Sequence, residues 1–80
     1  MNNPMELKKY ESKNGMKIAI YLGSIVAIKQ NGLSIYVHLS PHTEVSLTTY
    51  GGVECDEIFE QMIADWHIAK RRELDARRKK

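Results

Sequence analysis

Polar and apolar residues alternate strictly in the middle of the chain. From Leu33 to Ser40 every odd position is aliphatic and every even position is Ser, Tyr or His. Because successive side chains of a strand point to opposite faces, this pattern predicts a strand with one buried face and a firmly specified register. After a turn at Ser40-Pro41-His42-Thr43, the residues Val45, Leu47 and Thr49 continue the buried face and predict a second strand.

Two Asn-Gly pairs divide the preceding part of the chain into hairpins. Asn14-Gly15 predicts a type I′ turn, and Asn31-Gly32 predicts a second tight turn directly before the alternating strand. Alternation from Met16 to Leu22 predicts a half-buried strand. The propensities of residues 5–10 conflict between an edge strand and a helical turn, and we predict a strand there.

The interval from Gly23 to Ile28 is ambiguous. Gly23-Ser24 forms either a tight turn between two strands or a bulge within one strand from Met16 to Gln30, and the bulge is slightly favoured. Residues 25–28 are apolar at every position. Such a run predicts an inner strand, or a strand that is buried on both faces.

An amphipathic helix is predicted in the last third of the chain. Gly51-Gly52 interrupts the preceding strand, and the carboxylates that begin with Glu54 favour a helix start there. Because no Gly or Pro follows, the helix is expected to continue to about Arg78. One face of this helix carries apolar residues at three- and four-residue spacing: Ile58, Phe59, Met62, Ile63, Trp66 and Ala69.

Together these elements predict an α+β domain, in which an antiparallel β-meander of three to five strands packs on one long C-terminal amphipathic helix. Residues 1–80 are expected to form a single domain, with a frayed lead at 1–4, the sheet region at 5–50 and the helix at 53–80. Strands of six or seven residues span about 20 Å, so the helix is expected to overhang the sheet from about residue 70. Trp66 is expected to pack against the strand from Leu33 to Leu39.

The composition is that of an ordinary globular protein. The chain has 80 residues, of which 42% are hydrophobic and 28% are charged, and this balance excludes a mainly disordered protein. Its single cysteine, Cys55, has no internal disulfide partner, and no apolar run is long enough for a membrane span or a signal peptide. These observations predict a cytoplasmic location and no membrane partner.

The charge is distributed unevenly, although the formal net charge is only +2. Residues 70–80 hold seven basic and two acidic residues, which leaves five basic and eight acidic residues in the rest of the chain. The interval from Glu54 to Asp65 has five carboxylates and no basic residue. The predicted helix therefore runs from negative to positive, as its own dipole favours.

Candidate catalytic and metal-binding groups form no known arrangement. The potential zinc ligands His38, His42, Cys55 and His67 lack finger or ribbon spacing and fall on different elements. Cys55 is expected to be a small packed residue, and the helix carboxylates are expected to form a solvated face. No phosphate-binding loop and no catalytic triad motif occurs. The sequence therefore predicts a non-enzymatic protein without a metal site or cofactor.

Two surfaces remain as candidate partner-binding sites. The first is the sheet face away from the helix, where Tyr21, Tyr36 and Tyr50 are expected to point outward, with cross-strand packing of their rings as the alternative. An outward tyrosine face beside an edge strand also favours a homodimer. The second surface is the basic end of the helix, which consists of Lys70, Arg71, Arg72, Arg77 and Arg78.

These surfaces favour a protein or nucleoprotein partner. A sheet that stacks nucleic-acid bases needs basic residues among its aromatics, and this face offers only Lys17 and Lys29. In general form the chain is similar to the compact inhibitors that bacteriophages and mobile elements encode, anti-CRISPR proteins among them. That resemblance implies a modulator that occupies a surface of a larger machine. Nucleic-acid binding by the basic helix is the alternative, although Glu73 and Asp75 interrupt its positive charge.

Overall fold

A computed structural model describes residues 6–40 and 42–78, without the side chains of 73 and 76–78. An antiparallel sheet region of five strands packs against one C-terminal helix, so the predicted α+β fold is confirmed. A short 3-10 turn, Leu22–Ser24, separates the second and third strands. The elements in chain order are β1 Leu7–Glu11, β2 Lys17–Tyr21, β3 Ile25–Asn31, β4 Ser34–Leu39, β5 Thr43–Thr48 and α1 Gly52–Arg78.

The strands form two antiparallel sheets. β1 pairs with β2 along its whole length, and the second sheet has the order β3-β4-β5. The alternating strand predicted from Leu33 to Ser40 is therefore the central strand of the larger sheet. Its residues Ile35 and Val37 are completely buried, as the alternation predicts. Residues 5–10 were predicted to include a strand, and β1 confirms this; the frayed lead at 1–4 lies outside the described residues.

The prediction of an inner or doubly buried strand at residues 25–28 is wrong. β3 lies at the edge of its sheet, and Val26 is 62% exposed. The pairing register between β3 and β4 shifts between Ile25 and Ala27, which is a β-bulge. A bulge adds one residue and so reverses the side-chain alternation. For this reason Ile25 before it and Ile28 after it both face the core, while Val26 and Ala27 are exposed.

The favoured reading of Gly23-Ser24, as a bulge within one strand from Met16 to Gln30, is also wrong. The 3-10 turn ends β2 at Tyr21 and starts β3 at Ile25, and the two strands belong to different sheets. Leu22 fills the core from within this turn with only 3% exposure. The backbone N–H of Ser40 donates to the carbonyl of Ser24 at 2.8 Å, which ties the turn to the end of β4.

Both Asn-Gly pairs form hairpins, but the first hairpin does not have the predicted type I′ turn. Among the described residues, only Gly15 and Gly32 have positive φ, at 93° and 65°, whereas a type I′ turn needs positive φ at both central residues. The backbone N–H of Gly15 donates to the carbonyl of Ser12 at 3.0 Å. The backbone N–H of Ser12 donates to the carbonyl of Met16 at 2.8 Å. This is the pattern of a type I turn followed by a left-handed glycine.

The helix buries the predicted apolar stripe. Met62 and Cys55 have no exposed area, Ala69 is buried, and Ile58, Phe59 and Trp66 pack partly buried against the core. Trp66 packs against the core cluster that includes the β4 residues Ile35 and Val37, and its direct contact with the strand from Leu33 to Leu39 stays a prediction. The remaining buried members come from both sheets and the 3-10 turn: Tyr10, Ile20, Leu22, Ile25 and Leu47.

α1 runs antiparallel to β1 and the loop that follows it. Successive contacts join Glu54 to Lys13, Asp65 to Tyr10, and Arg72 to Glu6. Eighteen helical residues rise about 27 Å, and seven extended residues span about 24 Å, so the two segments match in length. The packed part of the helix therefore reaches Arg72, slightly beyond the overhang boundary expected near residue 70.

Because Met62 lies in the core, we expect Met62→Ala to lower the unfolding free energy by a large amount. Met62 is fully buried, and truncation of such a side chain leaves a cavity that costs about 2 to 5 kcal/mol of unfolding free energy. Urea unfolding followed by circular dichroism measures this change. Lys9→Ala, at an exposed position of β1, is the control and should change stability by less than about 0.5 kcal/mol. Equal stability of the two variants would contradict the helix-on-sheet packing.

Candidate partner-binding surfaces

Tyr36 lies at the centre of the outer face of the three-stranded sheet. Its neighbours along β4, Ile35 and Val37, point into the core, so its ring lies on the opposite face. The cross-strand partner of Tyr36 on β3 is Lys29, whose Nζ lies 5.6 Å from the ring centroid. That distance is within the range of a cation–π interaction. We call the pair of Lys29 and Tyr36 the sheet-face pair.

The other two candidate tyrosines lie on different elements. Tyr21 is the last residue of β2, in the two-stranded sheet, and is 46% exposed. Tyr50 lies in the connection from β5 to α1 and is 74% exposed. In the described part of the chain, no ring contact joins any two of the three tyrosines. They are therefore three separate exposed or partly exposed aromatic positions, not one cluster.

The basic end of the helix is partly engaged within the fold. Arg72 Nη1 donates to Glu6 Oε1 at 3.1 Å, and both side chains are substantially exposed. Lys70 is partly buried and has interactions of its own. Arg71 is exposed and forms no ion pair with any described residue. The side chains of Arg77 and Arg78 lie outside the described part of the structure.

Three of the helix carboxylates bond within the fold, and the expectation that these carboxylates form a solvated face is wrong for Asp65, whose side chain is only 13% exposed. Glu54 accepts hydrogen bonds from two backbone N–H groups, that of Tyr50 at 2.7 Å and that of Lys13 at 2.6 Å. Asp56 Oδ1 accepts from Gln30 Nε2 at 2.8 Å. These bonds fasten the first turn of α1 to the N-terminal hairpin loop and to β3.

Asp65 is the third engaged carboxylate and forms a polar clamp between α1 and β1. The Tyr10 hydroxyl donates to Asp65 Oδ2 at 2.7 Å, and Lys8 Nζ lies 3.8 Å from the same oxygen. Gln61 Nε2 donates to Oδ1 at 3.0 Å. Burial and the hydrogen bond to the Asp65 carboxylate raise the pKa of Tyr10 far above its usual value. The clamp is structural, because each polar atom has a partner within the fold.

The potential zinc ligands remain dispersed. His38 Nε2 lies 3.0 Å from Glu44 Oε2, and both side chains together with His42 border a shallow surface depression. Cys55 is fully buried, with its Sγ 3.8 Å from the Gly32 carbonyl, which confirms that it is a packed residue. No group of three potential ligands comes together among residues 6–40 and 42–78.

Comparisons with known protein families, with curated proteins and with solved structures gave no match for this chain. Within the described residues, no helix is both long and apolar enough to cross a membrane.

Sequence reasoning predicted exposed tyrosines and a basic helix end, but it placed on one face three tyrosines that lie on separate elements, and it missed the specific pairs that they and the carboxylates form. The sheet-face pair follows from the second hairpin, because a two-residue loop that pairs Asn31 with Ser34 also places Lys29 opposite Tyr36. That signal was present in the sequence. No local pattern indicated that Tyr10 would meet Asp65, since 55 residues separate them.

The polar clamp predicts a measurable loss of stability for Tyr10→Phe. The substitution removes a hydrogen bond to a charged acceptor, and such bonds contribute about 1.5 to 3 kcal/mol. Tyr21→Phe is the matched control, because the Tyr21 hydroxyl has no hydrogen-bond partner among the described residues. Urea unfolding should therefore separate the two variants at neutral pH. A similar stability for both would show that the clamp contributes nothing.

The same clamp predicts how stability depends on alkaline pH. The pKa of Tyr10 is raised in the folded protein, so the unfolded chain loses this proton first as the pH rises through about 10. The contribution of Tyr10 is therefore complete below that pH and decreases above it. We expect the unfolding free energy of the parent protein to fall more steeply above pH 10 than that of Tyr10→Phe. Parallel pH profiles for the two proteins would contradict the raised pKa.

Proposed function

We propose that this protein is a non-enzymatic binding protein that modulates a larger protein or nucleoprotein machine by covering part of its surface. The observation that carries the proposal is the sheet-face pair, an aromatic ring with an adjacent cation on the outer face of a rigid sheet. Tyr is enriched at protein interfaces because it combines apolar area with a polar hydroxyl and few rotatable bonds.

The sheet-face pair suits a central contact in such an interface. Tyr36 is held on the middle strand, so its backbone is fixed by pairing on both sides. Lys29, on the neighbouring strand, places its Nζ 5.6 Å from the ring centroid. Side chains that are ordered before binding lose less conformational entropy on association. The exposed Tyr21 and Tyr50 provide further contact positions nearer the edges of the molecule.

The basic end of α1 has a different role in this proposal. Arg71 is exposed, and exposed charges at the edge of an interface mainly raise the association rate with an oppositely charged partner. An acidic protein surface fits this role. We infer that the charge guides the encounter and that desolvated aromatic contacts keep the complex together.

Direct nucleic-acid binding by the basic helix end is the second candidate function. The exposed Arg71, together with the basic composition of 70–80, favours it. Two features disfavour it: Arg72 already pairs with Glu6, and Glu57 and Glu60 expose negative charge on the same helix. A polyanion would be repelled by those carboxylates.

The experiment begins with affinity capture from the native host, with and without nuclease, and mass spectrometry of the bound proteins. Binding of the purified partner is then measured kinetically for two variants. Tyr36→Ala should increase the dissociation rate about tenfold or more, as truncation of a central aromatic contact does. Lys13→Ala, an exposed change in the first hairpin loop, is the control and should leave the rate nearly unchanged. An unchanged dissociation rate for Tyr36→Ala would contradict the assigned surface.

Salt dependence tests the second candidate function. If the helix end binds a duplex backbone, log K should fall with log salt concentration by about 0.9 per phosphate neutralised, and replacing Arg77 and Arg78 by Gln should lower that slope by about two. We expect only weak, sequence-independent binding to DNA or RNA. Submicromolar binding at physiological salt that the double replacement abolishes would overturn the proposed function in favour of nucleic-acid recognition.

A further inference from the structure

Two asparagines, Asn14 and Asn31, lie in the described part of the chain, and each directly precedes a glycine in a hairpin loop. An asparagine before glycine can lose its side-chain amide without an enzyme, because the glycine nitrogen attacks the side-chain carbonyl carbon and closes a cyclic imide. Glycine has no Cβ to obstruct this approach, and asparagine is one of the thermolabile residues. Since both sites share this sequence signal, the fold decides which of them reacts.

The fold engages the reacting groups of Asn14. Its Oδ1 accepts hydrogen bonds from the Ser12 hydroxyl and from the Met16 backbone N–H, the latter at 3.2 Å, and its Nδ2 donates to the Thr48 carbonyl at 3.2 Å. The attacking nitrogen would be that of Gly15, whose N–H donates to the Ser12 carbonyl at 3.0 Å. Ring closure requires the Gly15 N–H to lose its hydrogen and Nδ2 to leave. Both groups are held by hydrogen bonds, so the first site is protected.

The corresponding groups of Asn31 are not engaged. The Asn31 side chain is exposed and forms no hydrogen bond with any described residue. The N–H of Gly32, which is the attacking nitrogen here, has no acceptor in the described part of the chain either. Gly32 is exposed, and a β-carbon placed on it would meet no atom within 4 Å, so the space beside this peptide is open.

The position of Asn31 in the hairpin also favours reaction. Asn31 is the last residue of β3 and pairs with Ser34 at the end of the ladder. Exposed residues at the end of a ladder open more readily than residues within it. The loop is anchored one residue further on, where the Leu33 carbonyl accepts from both the backbone N–H and the hydroxyl of Thr49 at 2.8 Å. Neither of these bonds involves the Asn31 side chain or the Gly32 nitrogen.

We propose that Asn31 is a site of spontaneous deamidation in the native protein and that Asn14 is protected from it. In the first step the Gly32 nitrogen forms a bond to Asn31 Cγ and loses its hydrogen, while the bond from Cγ to Nδ2 breaks and Nδ2 leaves as ammonia. Water then opens the imide at either carbonyl, which gives aspartate or isoaspartate. The whole reaction consumes one water and releases one ammonia, and it needs no oxidant or reductant.

The new carboxylate would lie on the outer face of the three-stranded sheet, beside the sheet-face pair. Lys29 and Asn31 are both exposed and two positions apart on β3, which separates their Cα atoms by about 7 Å on one face. The product therefore offers the Lys29 ammonium a second partner besides the Tyr36 ring. Isoaspartate also lengthens the backbone by one methylene directly before the turn, where the register of β3 and β4 is set. The deamidation itself does not depend on the proposed function, and only its effect on partner binding does.

Timed incubation of the full chain at mildly alkaline pH tests the proposal. The protein is kept either native or unfolded in guanidinium chloride, and mass spectrometry of proteolytic peptides measures the conversion of each asparagine to the acid. In the unfolded chain both sites should react at similar rates, because they share the Asn-Gly dipeptide. Each native rate is divided by the unfolded rate of the same site. This ratio should be at least about tenfold higher for Asn31 than for Asn14, since opening of the first loop requires the loss of its hydrogen bonds.

Asn31→Gln is the matched control. A glutamine side chain is one methylene longer and closes its imide ring far more slowly, so the more acidic species that ion exchange separates from the aged native protein should be absent from this variant. Three results would overturn the proposal: equal ratios at the two sites, a higher ratio for Asn14, or an unreacted Asn31 in the native protein after both sites have reacted in the unfolded chain.

Discussion

The burial of one helix stripe is the interaction on which the rest of the structure depends. β1-β2 and β3-β4-β5 form separate sheets, and in the described part of the chain no ladder of backbone hydrogen bonds joins them. Their inner faces instead share a core with α1, where Cys55 and Met62 are completely buried. Two-stranded ribbons are marginal by themselves in water. The N-terminal hairpin is therefore stabilised by the core that it shares with the helix and the larger sheet, and by its direct contacts with β5.

Polar contacts fix the position of the helix once the stripe is buried. The apolar stripe alone would allow α1 to slide or rotate by a turn, since dispersion and hydrophobic contacts are not directional. Glu54, Asp65 and Arg72 prevent this, because each meets a different point along β1 and its loop. Two hydrogen bonds join the N-terminal hairpin directly to β5. Asn14 Nδ2 donates to the Thr48 carbonyl at 3.2 Å, and the Thr48 N–H donates to Met16 Sδ at 3.1 Å.

The sequence predicted those features that depend on local periodicity and turn chemistry. β4, β5 and the buried face of α1 follow from alternation and from helical spacing, and both hairpins follow from Asn-Gly pairs. The errors occurred where one residue more or less changes the outcome. Four consecutive apolar residues, 25–28, predicted an inner strand. They belong to an edge strand, because the bulge between Ile25 and Ala27 reverses the alternation of its side chains. The long-range partners of Asp65 and Glu54 are visible only in the tertiary fold. From the charge pattern alone, both carboxylates were predicted to be solvent-exposed.

The same long-range contacts decide which charges remain available for partners. Of the five carboxylates from Glu54 to Asp65, three are held by the fold, and Glu57 and Glu60 are exposed without a partner among the described residues. Of the basic residues, Arg72 is paired with Glu6, and Arg71 points outward. The overall charge asymmetry of the chain therefore overstates the asymmetry of its accessible surface. Because exposed carboxylates and exposed basic residues share this helix, its surface does not favour general attraction to a polyanion.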